Sequence, residues 1–337
     1  MERRARLVEG AIGDAVLSVD GALDAPGLNL SHWPGHRTPE HLRHALSTGS
    51  ALAFARLGAT ERAALTKGLA FVANNHYDTD GLLAAFAVLN PERALELERP
   101  LLDTAATGDF FALPSEHAFA LDHLIGLLPD PTRSPIAERL IGTSDLERRQ
   151  LALDYGLEHV DGWLAEPLDG PAWRGVRACV TPALDRLRAD LVELDRAERF
   201  EDSTRDLVHF VARAPASPGR HALFGRARSD RVLISAPLIG GTAHRLVIGT
   251  RSWFDLPDDP NEPRPGPRFD LAVMANTLAR AEPAQAALGW RHQPSASPSP
   301  ELWFGAAKLD MFVEHNTSLG ASALPAAAVR AAIPDAR

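Results

Sequence analysis

The sequence lacks several features that would assign it to a class at once. Among 337 residues there is one cysteine, Cys179, so no disulfide can form within the chain, and we expect a cytoplasmic protein. No run of about 18 apolar residues occurs, so we expect no membrane-spanning helix and no membrane partner. Walker-type and Gly-x-Gly-x-x-Gly loops are also absent, which excludes the nucleotide sites built on those loops.

Positive charge is scarce as well. The 35 lysines and arginines are outnumbered by 44 acidic residues, and the net charge is −9. A chain of this charge is poorly suited to bind long nucleic acid through its phosphates, although it does not exclude a short nucleotide in a small pocket. A small anionic molecule is the substrate that we expect from the site residues described below. Lysine occurs only at Lys67 and Lys308, so most cations are arginine and a single arginine is weak evidence for a site. A homodimer stays open as the assembly.

The pattern of apolar residues changes near residue 200. Before it, the strand-like runs 15–19 and 28–30 precede mainly helical patterns, the first of which is predicted to begin at Thr38-Pro39 and to reach about Arg56. After it, apolar runs predict strands, with a hairpin turn at Gly240-Gly241. The predicted strands of this second part are 207–211, 222–224, 231–235 and 245–249.

These patterns predict an α/β fold with two domains. The N-terminal domain, residues 1–200, is expected to be mainly helical around a parallel sheet and to bind metal. The second domain, residues 201–337, is expected to be smaller, α+β and sheet-containing.

The strongest chemical signal follows the apolar run 71–73. There the sequence reads His76-Tyr77-Asp78-Thr79-Asp80-Gly81 and continues into a helical pattern. Open α/β sheets bind ligands where a strand gives way to a helix, and imidazole with carboxylates suits Mn, Fe or Zn. We predict His76, Asp78 and Asp80 as catalytic residues and metal ligands. A helix cap is the alternative, but it accounts for only one of the two aspartates.

Two residues further along are additional candidate metal ligands. Asp109 follows a helix- or strand-like segment and can supply a carboxylate from a neighbouring edge of the sheet; the alternative is a turn. His123 stands beside Asp122 in an amphipathic helical pattern. Adjacent side chains on a helix point about 100° apart, so both can reach one ion only if the helix ends there.

Substrate ligands are expected in the segment Ser31–Pro39. It ends at a predicted helix N-terminus, where free N–H groups favour anions, although a solvated loop packed by Trp33 is an equal alternative. If the run 28–30 pairs in parallel with 71–73, this segment and His76 meet at one edge of the sheet; antiparallel pairing would separate them. The predicted substrate-binding residues are His32, His36, Arg37, Arg251 at a later strand end, and His315 in a polar turn.

The segment His76-Tyr77-Asp78-Thr79-Asp80-Gly81 resembles the first motif of the DHH phosphoesterase superfamily, which includes single-strand exonucleases, small-oligonucleotide hydrolases, exopolyphosphatases and cyclic-dinucleotide phosphodiesterases. The resemblance implies that His76 and Asp78 bind one manganese and Asp80 its neighbour, at the end of a strand in a parallel sheet. It also implies a smaller C-terminal domain that closes over the substrate. The Asp-His-His string that names the superfamily is absent, and Asp122-His123-Leu124 is the closest string to it.

Three hypotheses follow. The first is a metal-dependent, phosphoesterase-like hydrolase with two ions, Mn being the preferred metal and Fe or Zn the alternatives. The second is a mononuclear metal enzyme that uses His76 and Asp78 with a further histidine, from residues 32–44 or at His123. The third is a non-catalytic α/β binding protein in which the acidic residues are structural. The number of metal ions per chain, about two, one or zero, distinguishes them.

Overall fold

The computed structural model describes residues 4–258, 265–283, 288–306 and 319–336. These residues form two compact units, and the prediction of an α/β protein with a parallel sheet is confirmed. The first unit contains the chain to Leu184 and Asp255–Pro257; the second contains Asp185–Phe254 and the chain from Asp258. No helix within these ranges is long and apolar enough to cross a membrane.

The first unit contains a four-stranded sheet. Its strands are β1 (Ala5–Leu7), β2 (Val16–Val19), β3 (Gly27–Leu30) and β4 (Val72–Asn74). They lie in the order β1-β4-β2-β3, and all pairings are parallel. Parallel strands end at the same edge of a sheet, so the residues that follow β2, β3 and β4 meet there.

Eight α-helices are described in this unit. They are α1 (Ser47–Arg56), α2 (Ala59–Leu65), α3 (Thr79–Leu89), α4 (Pro91–Glu96), α5 (Glu98–Phe110), α6 (Glu116–Leu127), α7 (Ala137–Leu140) and α8 (Asp145–Ala165). Helix α3 is buried from Thr79 to Val88, because apolar and small side chains cover all its faces. Asp78 caps its first turn by accepting a hydrogen bond from Gly81 N at 2.8 Å.

The helix predicted to begin at Thr38 begins instead at Ser47. Thr38 does not cap it: its hydroxyl donates to Ser31 O at 2.7 Å and accepts from Ser31 N at 2.8 Å, which closes the loop between them. A short 3₁₀ turn, Glu40–Leu42, follows. Threonine favours both caps and local turns, and here the loop takes its hydroxyl.

The second unit contains a six-stranded mixed sheet preceded by the helix α9 (Arg177–Arg196). The strands are β5 (Glu198–Asp202), β6 (Leu207–Val211), β7 (Arg231–Leu238), β8 (Gly241–Ile248), β9 (Gly289–His292) and β10 (Glu301–Gly305). Their order is β5-β6-β7-β8-β10-β9, and only the β6–β7 pair is parallel. Gly240, at φ +90°, forms the β7–β8 hairpin turn that was predicted.

Three further helices, α10 (Arg220–Ala227), α11 (Leu271–Ala281) and α12 (Ala326–Ala331), are described in this unit. Helix α10 contains residues 222–224, so the strand predicted there is wrong. A run of three apolar residues fits either element, and here the run is buried within a helix. The end of α9 also packs within this unit, because Asp190 accepts a hydrogen bond from Gly219 N at 2.8 Å. The second unit therefore begins before residue 200.

Candidate metal centre

Acidic and histidine side chains gather where β2, β3 and β4 end. Asp20 follows β2, His32 lies just beyond β3, and His76 and Asp78 follow β4. Asp80 lies in the first turn of α3, and Asp109 lies near the end of α5. Their ligand atoms form two sets, and the atoms within each set lie within 4.8 Å of one another.

The first set consists of Asp20, His76 and Asp78, and we call it the exposed group. His76 Nε2 lies 2.7 Å from Asp20 Oδ2 and 2.8 Å from Asp78 Oδ2. The side chains of His76 and Asp78 are 22% and 36% exposed. This group can therefore be reached by a molecule from solvent.

The second set consists of Asp20, His32, Asp80 and Asp109, and we call it the buried group. His32 Nε2 lies 3.0 Å from Asp109 Oδ2 and 3.7 Å from both Asp80 Oδ2 and Asp20 Oδ1. The side chains of His32 and Asp80 have no exposed surface, and that of Asp109 is 10% exposed. An ion held here would be enclosed by protein.

Asp20 belongs to both groups, and its two oxygens are divided between them. Oδ2 faces His76 in the exposed group, and Oδ1 faces His32 in the buried group. Asp20 also has φ +61°, a left-handed conformation that is uncommon outside glycine and that collects at functional sites. The backbone thus turns directly after β2 to place one carboxylate between two imidazoles.

Both imidazoles are held with Nε2 directed into the cluster. His32 Nδ1 lies 2.6 Å from Ala45 O, and His76 Nδ1 lies 3.0 Å from Asn75 Oδ1. A carbonyl oxygen only accepts hydrogen bonds, so each Nδ1 carries the proton and each Nε2 presents its lone pair in the neutral ring. Metal-binding histidines have this arrangement, since the second nitrogen donates to a carbonyl or carboxylate that fixes the ring.

Asp80 is held by the N-terminus of α1. Ser47 N donates to Asp80 Oδ2 at 2.7 Å and Thr48 N donates to Oδ1 at 2.8 Å. These N–H groups have no partner within the helix, and the helix dipole favours negative charge at this end. Both oxygens of the fully buried Asp80 side chain are therefore held in place by backbone N–H groups.

Two glycines make room for the cluster. A Cβ atom at Gly21 would collide with the Asn75 amide and approach His76 Nδ1 to 2.9 Å. At Gly81 a Cβ would collide with the Asn74 amide. Side chains at either position would displace the groups that orient the ligand atoms.

The cluster contains more negative than positive charge. Four carboxylates face two imidazoles, so a net negative charge remains even when both rings are protonated. Burial opposes the charged form of His32, yet Asp109 and its neighbouring carboxylates raise the pKa of His32 to about 9. Likewise, burial is outweighed by Asp78 and Asp20, which raise the pKa of His76 to about 11. Without a cation, both rings are protonated on both nitrogens at neutral pH and carry a positive charge.

The carboxylates respond to the same surroundings. Burial and the charge of Asp78 raise the pKa of Asp20 to about 6. Burial and the charge of Asp80 raise the pKa of Asp109 well above its usual value. For Asp78, burial is outweighed by His76, which lowers its pKa to about 2. A divalent cation would relieve the repulsion that raises the first two values.

The donor set fits a divalent metal. Imidazole nitrogens and carboxylate oxygens bind Mn, Fe and Zn, with bonds of about 2.0–2.2 Å for Zn, so cis ligand atoms lie about 3.0–3.5 Å apart. The contacts made by His32 Nε2 and His76 Nε2 span 2.7 to 3.7 Å. The buried and exposed groups therefore match in chemistry, and shifts of a few tenths of an ångström would bring their contacts to the spacing of metal ligands.

The structure brings five of the ten predicted site residues together. His76 and Asp78 lie in the exposed group, and Asp80, Asp109 and His32 lie in the buried group. His32, predicted to bind substrate, thus takes the position of a metal ligand.

The other predicted residues lie outside both groups. His123 is one of them, because α6 continues past it and its ring stacks on Phe119. His36 Nε2 lies 3.6 Å from Asp255, and the Arg37 guanidinium donates to Ala25 O, which precedes β3. Arg251 belongs to the second unit, where its N–H donates to Asp230. His315 lies outside the described residues.

Asp20 is the member of both groups that the sequence analysis did not identify. It stands alone between Val19 and Gly21, with no histidine or second acid beside it. The available signal was its position after the strand-like run 15–19, because parallel pairing of that run with 28–30 and 71–73 places all three ends at one edge.

The first unit is thus an α/β unit with a carboxylate–imidazole cluster at the carboxyl edge of a parallel sheet. The chain belongs to the family of unknown function DUF6687, whose match covers residues 9–336 and therefore most of both units. Neither a curated protein nor a solved structure matches the chain.

Proposed function

We propose that this protein is a metal-dependent hydrolase with two adjacent ions, acting on a small anionic or phosphorylated substrate. The observation that carries the proposal is the division of the Asp20 oxygens between two histidine-containing groups. A carboxylate placed in this way can bridge two ions, which in dinuclear hydrolases lie about 3.5–4 Å apart. The resemblance of residues 76–81 to the first motif of DHH phosphoesterases supports the same class of reaction.

The buried group and the exposed group have different roles in this proposal. When bound, the ions would activate water and stabilise the leaving oxygen of the substrate. His32, Asp80 and Asp109 surround the inner position, where little of the ligand surface reaches solvent. His76 and Asp78 hold the outer position, and their exposure makes this the side on which a substrate approaches. Manganese is the metal we expect first, with Fe or Zn as alternatives.

The first test is the number of metal ions per chain. The purified protein is stripped with EDTA, reloaded with Mn²⁺, Fe²⁺ or Zn²⁺ and measured by elemental analysis, and then assayed on phosphate monoesters, phosphate diesters and a carboxylic ester control. We expect about two ions per chain and metal-dependent hydrolysis of a phosphoester, lost in EDTA. Zero ions would contradict the proposal and support a non-catalytic binding protein.

Two aspartates on α5 provide a matched pair of variants. Asp109 is a member of the buried group, whereas Asp103 lies two turns earlier, 3.7 Å from Arg99 and outside both groups. Asp109→Asn is expected to remove metal and activity, because it takes away one of four ligands and its charge. Asp103→Asn is expected to retain both. Equal metal content in the two variants would contradict the assignment of Asp109.

A mononuclear enzyme is the second candidate. The observation that favours it is the completeness of the buried group, which offers four ligand atoms without any help from His76 or Asp78. In that case one ion binds per chain, and Asp78→Asn leaves the metal content unchanged. If two ions bind instead, Asp78→Asn lowers the content to about one.

A further inference from the structure

We propose that Trp33 is a positioning residue that sets the orientation of the Asp20 carboxylate and so controls how tightly the exposed group holds its ion. This inference rests on the proposed function, because it assigns a role at the same dinuclear site. It concerns the contacts of one side chain with Asp20, which both groups share, and with His76 of the exposed group.

Trp33 contacts the cluster at two points. Its indole Nε1 donates to Asp20 Oδ1 at 3.2 Å, and its ring lies 4.6 Å from the His76 ring, measured between centroids. In sequence it directly follows His32, so its backbone is tied to the buried group. One residue therefore connects the shared carboxylate, the histidine of the exposed group and the histidine of the buried group.

The backbone of Trp33 is itself held in place. Its N–H donates to Ser31 Oγ at 3.1 Å, and its carbonyl accepts from His36 N at 3.0 Å. The ring is only partly buried, but it lies against His76. The loop that carries it is closed by the hydrogen bond from the Thr38 hydroxyl to Ser31 O. A held indole can direct its N–H at a fixed point, as positioning requires.

Two neutral donors act on one oxygen of Asp20. Ser47 Oγ donates to Oδ1 at 2.9 Å, together with the indole of Trp33, whereas Oδ2 lies 2.7 Å from His76 Nε2. A carboxylate rotates easily about its last bond, and two donors on Oδ1 oppose that rotation. Oδ2 is thereby kept directed towards the exposed group.

The two groups should differ in their dependence on this restraint. The buried group keeps three ligands of its own, His32, Asp80 and Asp109, whatever the angle of Asp20. The exposed group has only His76 and Asp78 besides Asp20. Removal of partners that orient metal ligands lowers metal affinity by about 10–100-fold, and the group with fewer ligands should show that loss.

The experiment is a Mn²⁺ titration of the full chain with Trp33→Phe, which keeps an aromatic ring against His76 but removes the N–H. Bound Mn²⁺ is counted by electron paramagnetic resonance, which also reports the spin coupling of two ions that share a carboxylate. We expect the first ion to bind as in wild type and the second about 10–100-fold more weakly, so that the coupled signal appears only at higher Mn²⁺. Trp253→Phe is the matched control, because it removes an indole hydrogen bond to Ala296 O in the second unit.

The outcomes separate this inference from the proposed function. If wild type binds no Mn²⁺, the proposed function fails. If wild type binds two ions and Trp33→Phe binds both with wild-type affinity, only the role of Trp33 is overturned. Should Trp33→Phe fail to fold, Ser47→Ala removes the other donor to Oδ1, and wild-type affinity for the second ion in that variant overturns the inference equally. The melting temperature without metal is measured for each variant, and a selective loss of the second ion at an unchanged melting temperature supports positioning.

Discussion

Each unit of the molecule contains a pair of hydrogen-bonded histidines, and the two pairs behave in opposite ways. In the second unit His209 Nε2 lies 2.9 Å from Ser235 Oγ, which lies 2.8 Å from His244 Nδ1. His244 Nε2 lies 3.0 Å from Leu324 O, a group that only accepts, so His244 Nδ1 must accept from the serine and the serine from His209. Both rings are neutral: burial lowers the pKa of His209 to about 3 and also lowers the pKa of His244.

In the first unit His32 and His76 are surrounded by carboxylates, and their pKa values are raised to about 9 and about 11, against the effect of burial. The same side chain is therefore a neutral structural group in one unit and a cation in the other. Burial alone does not decide which, because the surrounding charges do. The pair in the second unit makes its hydrogen bonds with a hydroxyl and a carbonyl group.

Buried carboxylates make the same contrast. Glu301 in the second unit lies 3.0 Å from Arg245 Nε and 2.7 Å from Arg220 Nη2. Burial is outweighed by these arginines, which lower the pKa of Glu301. In the first unit four carboxylates share two imidazoles. The second unit thus supplies its own counter-charge, and the first unit has the deficit that a divalent cation would fill.

Asp20→Asn is the strongest test of that contrast. It removes one charge from both groups at the shared position, so we expect metal content to fall from about two ions to one or none, and hydrolysis by about 10³-fold or more. With less repulsion, the metal-free protein should be no less stable than wild type. Elemental analysis and thermal unfolding in EDTA measure both effects. Wild-type metal content in this variant would show that the cluster does not depend on Asp20.

The pH dependence of metal binding is a second test. Metal binds the neutral imidazole, but without a cation His32 and His76 are in their positively charged form at pH 7, since their pKa values lie near 9 and 11. Binding should release protons, and affinity for Mn²⁺ should rise with pH by up to about tenfold per unit for each proton released. Calorimetry between pH 6 and 8, in two buffers of different ionisation enthalpy, counts these protons. An affinity that is constant with pH would contradict the assignment of these histidines as ligands.

The second unit should show a pH dependence of its stability, because the pKa of His209 is lowered by burial. The pKa of His209 lies near 3 in the folded chain and near 6.5 when unfolded, so the unfolded chain binds more protons between these values. The stability contributed by neutral His209 is present above pH 6.5 and is lost as pH falls, by at most about 1.4 kcal/mol per unit.

This trend can be isolated with one variant. Urea unfolding of wild type and His209→Gln from pH 7.5 to 5 compares the two slopes, and the difference between them belongs to His209. We expect wild type to lose up to about 2 kcal/mol relative to the variant between pH 6.5 and 5. Parallel profiles would mean that His209 does not remain neutral in the folded chain.

The sequence could predict those parts of the site that are local in the chain. His76, Asp78 and Asp80 stand together between a strand and a helix, so their spacing alone indicated a site. The contrasting pair in the second unit offered no such signal, because His209 and His244 lie on strands whose pairing through β7 brings them together.

The rest depended on long-range pairing. Asp20 and His32 reach the cluster because β2 pairs in parallel with both β3 and β4, a register that isolated runs of three to five apolar residues do not specify. The helix predicted at Thr38 starts at Ser47 instead, where its first N–H groups bind Asp80. That acceptor lies 33 residues away along the chain, so no local pattern could reveal it.

The smallest expected effect compares one orienting partner from each unit. Asn75→Ala removes the solvent-accessible amide oxygen that accepts a hydrogen bond from His76 Nδ1 at 3.0 Å. This variant should bind Mn²⁺ about tenfold more weakly, with little change in stability. Ser235→Ala removes the hydroxyl between His209 and His244, which leaves buried nitrogens without partners and should cost about 1–3 kcal/mol of stability. It should leave Mn²⁺ affinity unchanged, because no member of the exposed or buried group is altered. Calorimetric titration and urea unfolding of both variants complete a two-by-two comparison. A loss of metal affinity in Ser235→Ala would remove the distinction between a ligand pair and a structural pair. Wild-type affinity in Asn75→Ala would do the same, since the hydrogen bond at Nδ1 would then not be what prepares His76 to bind an ion.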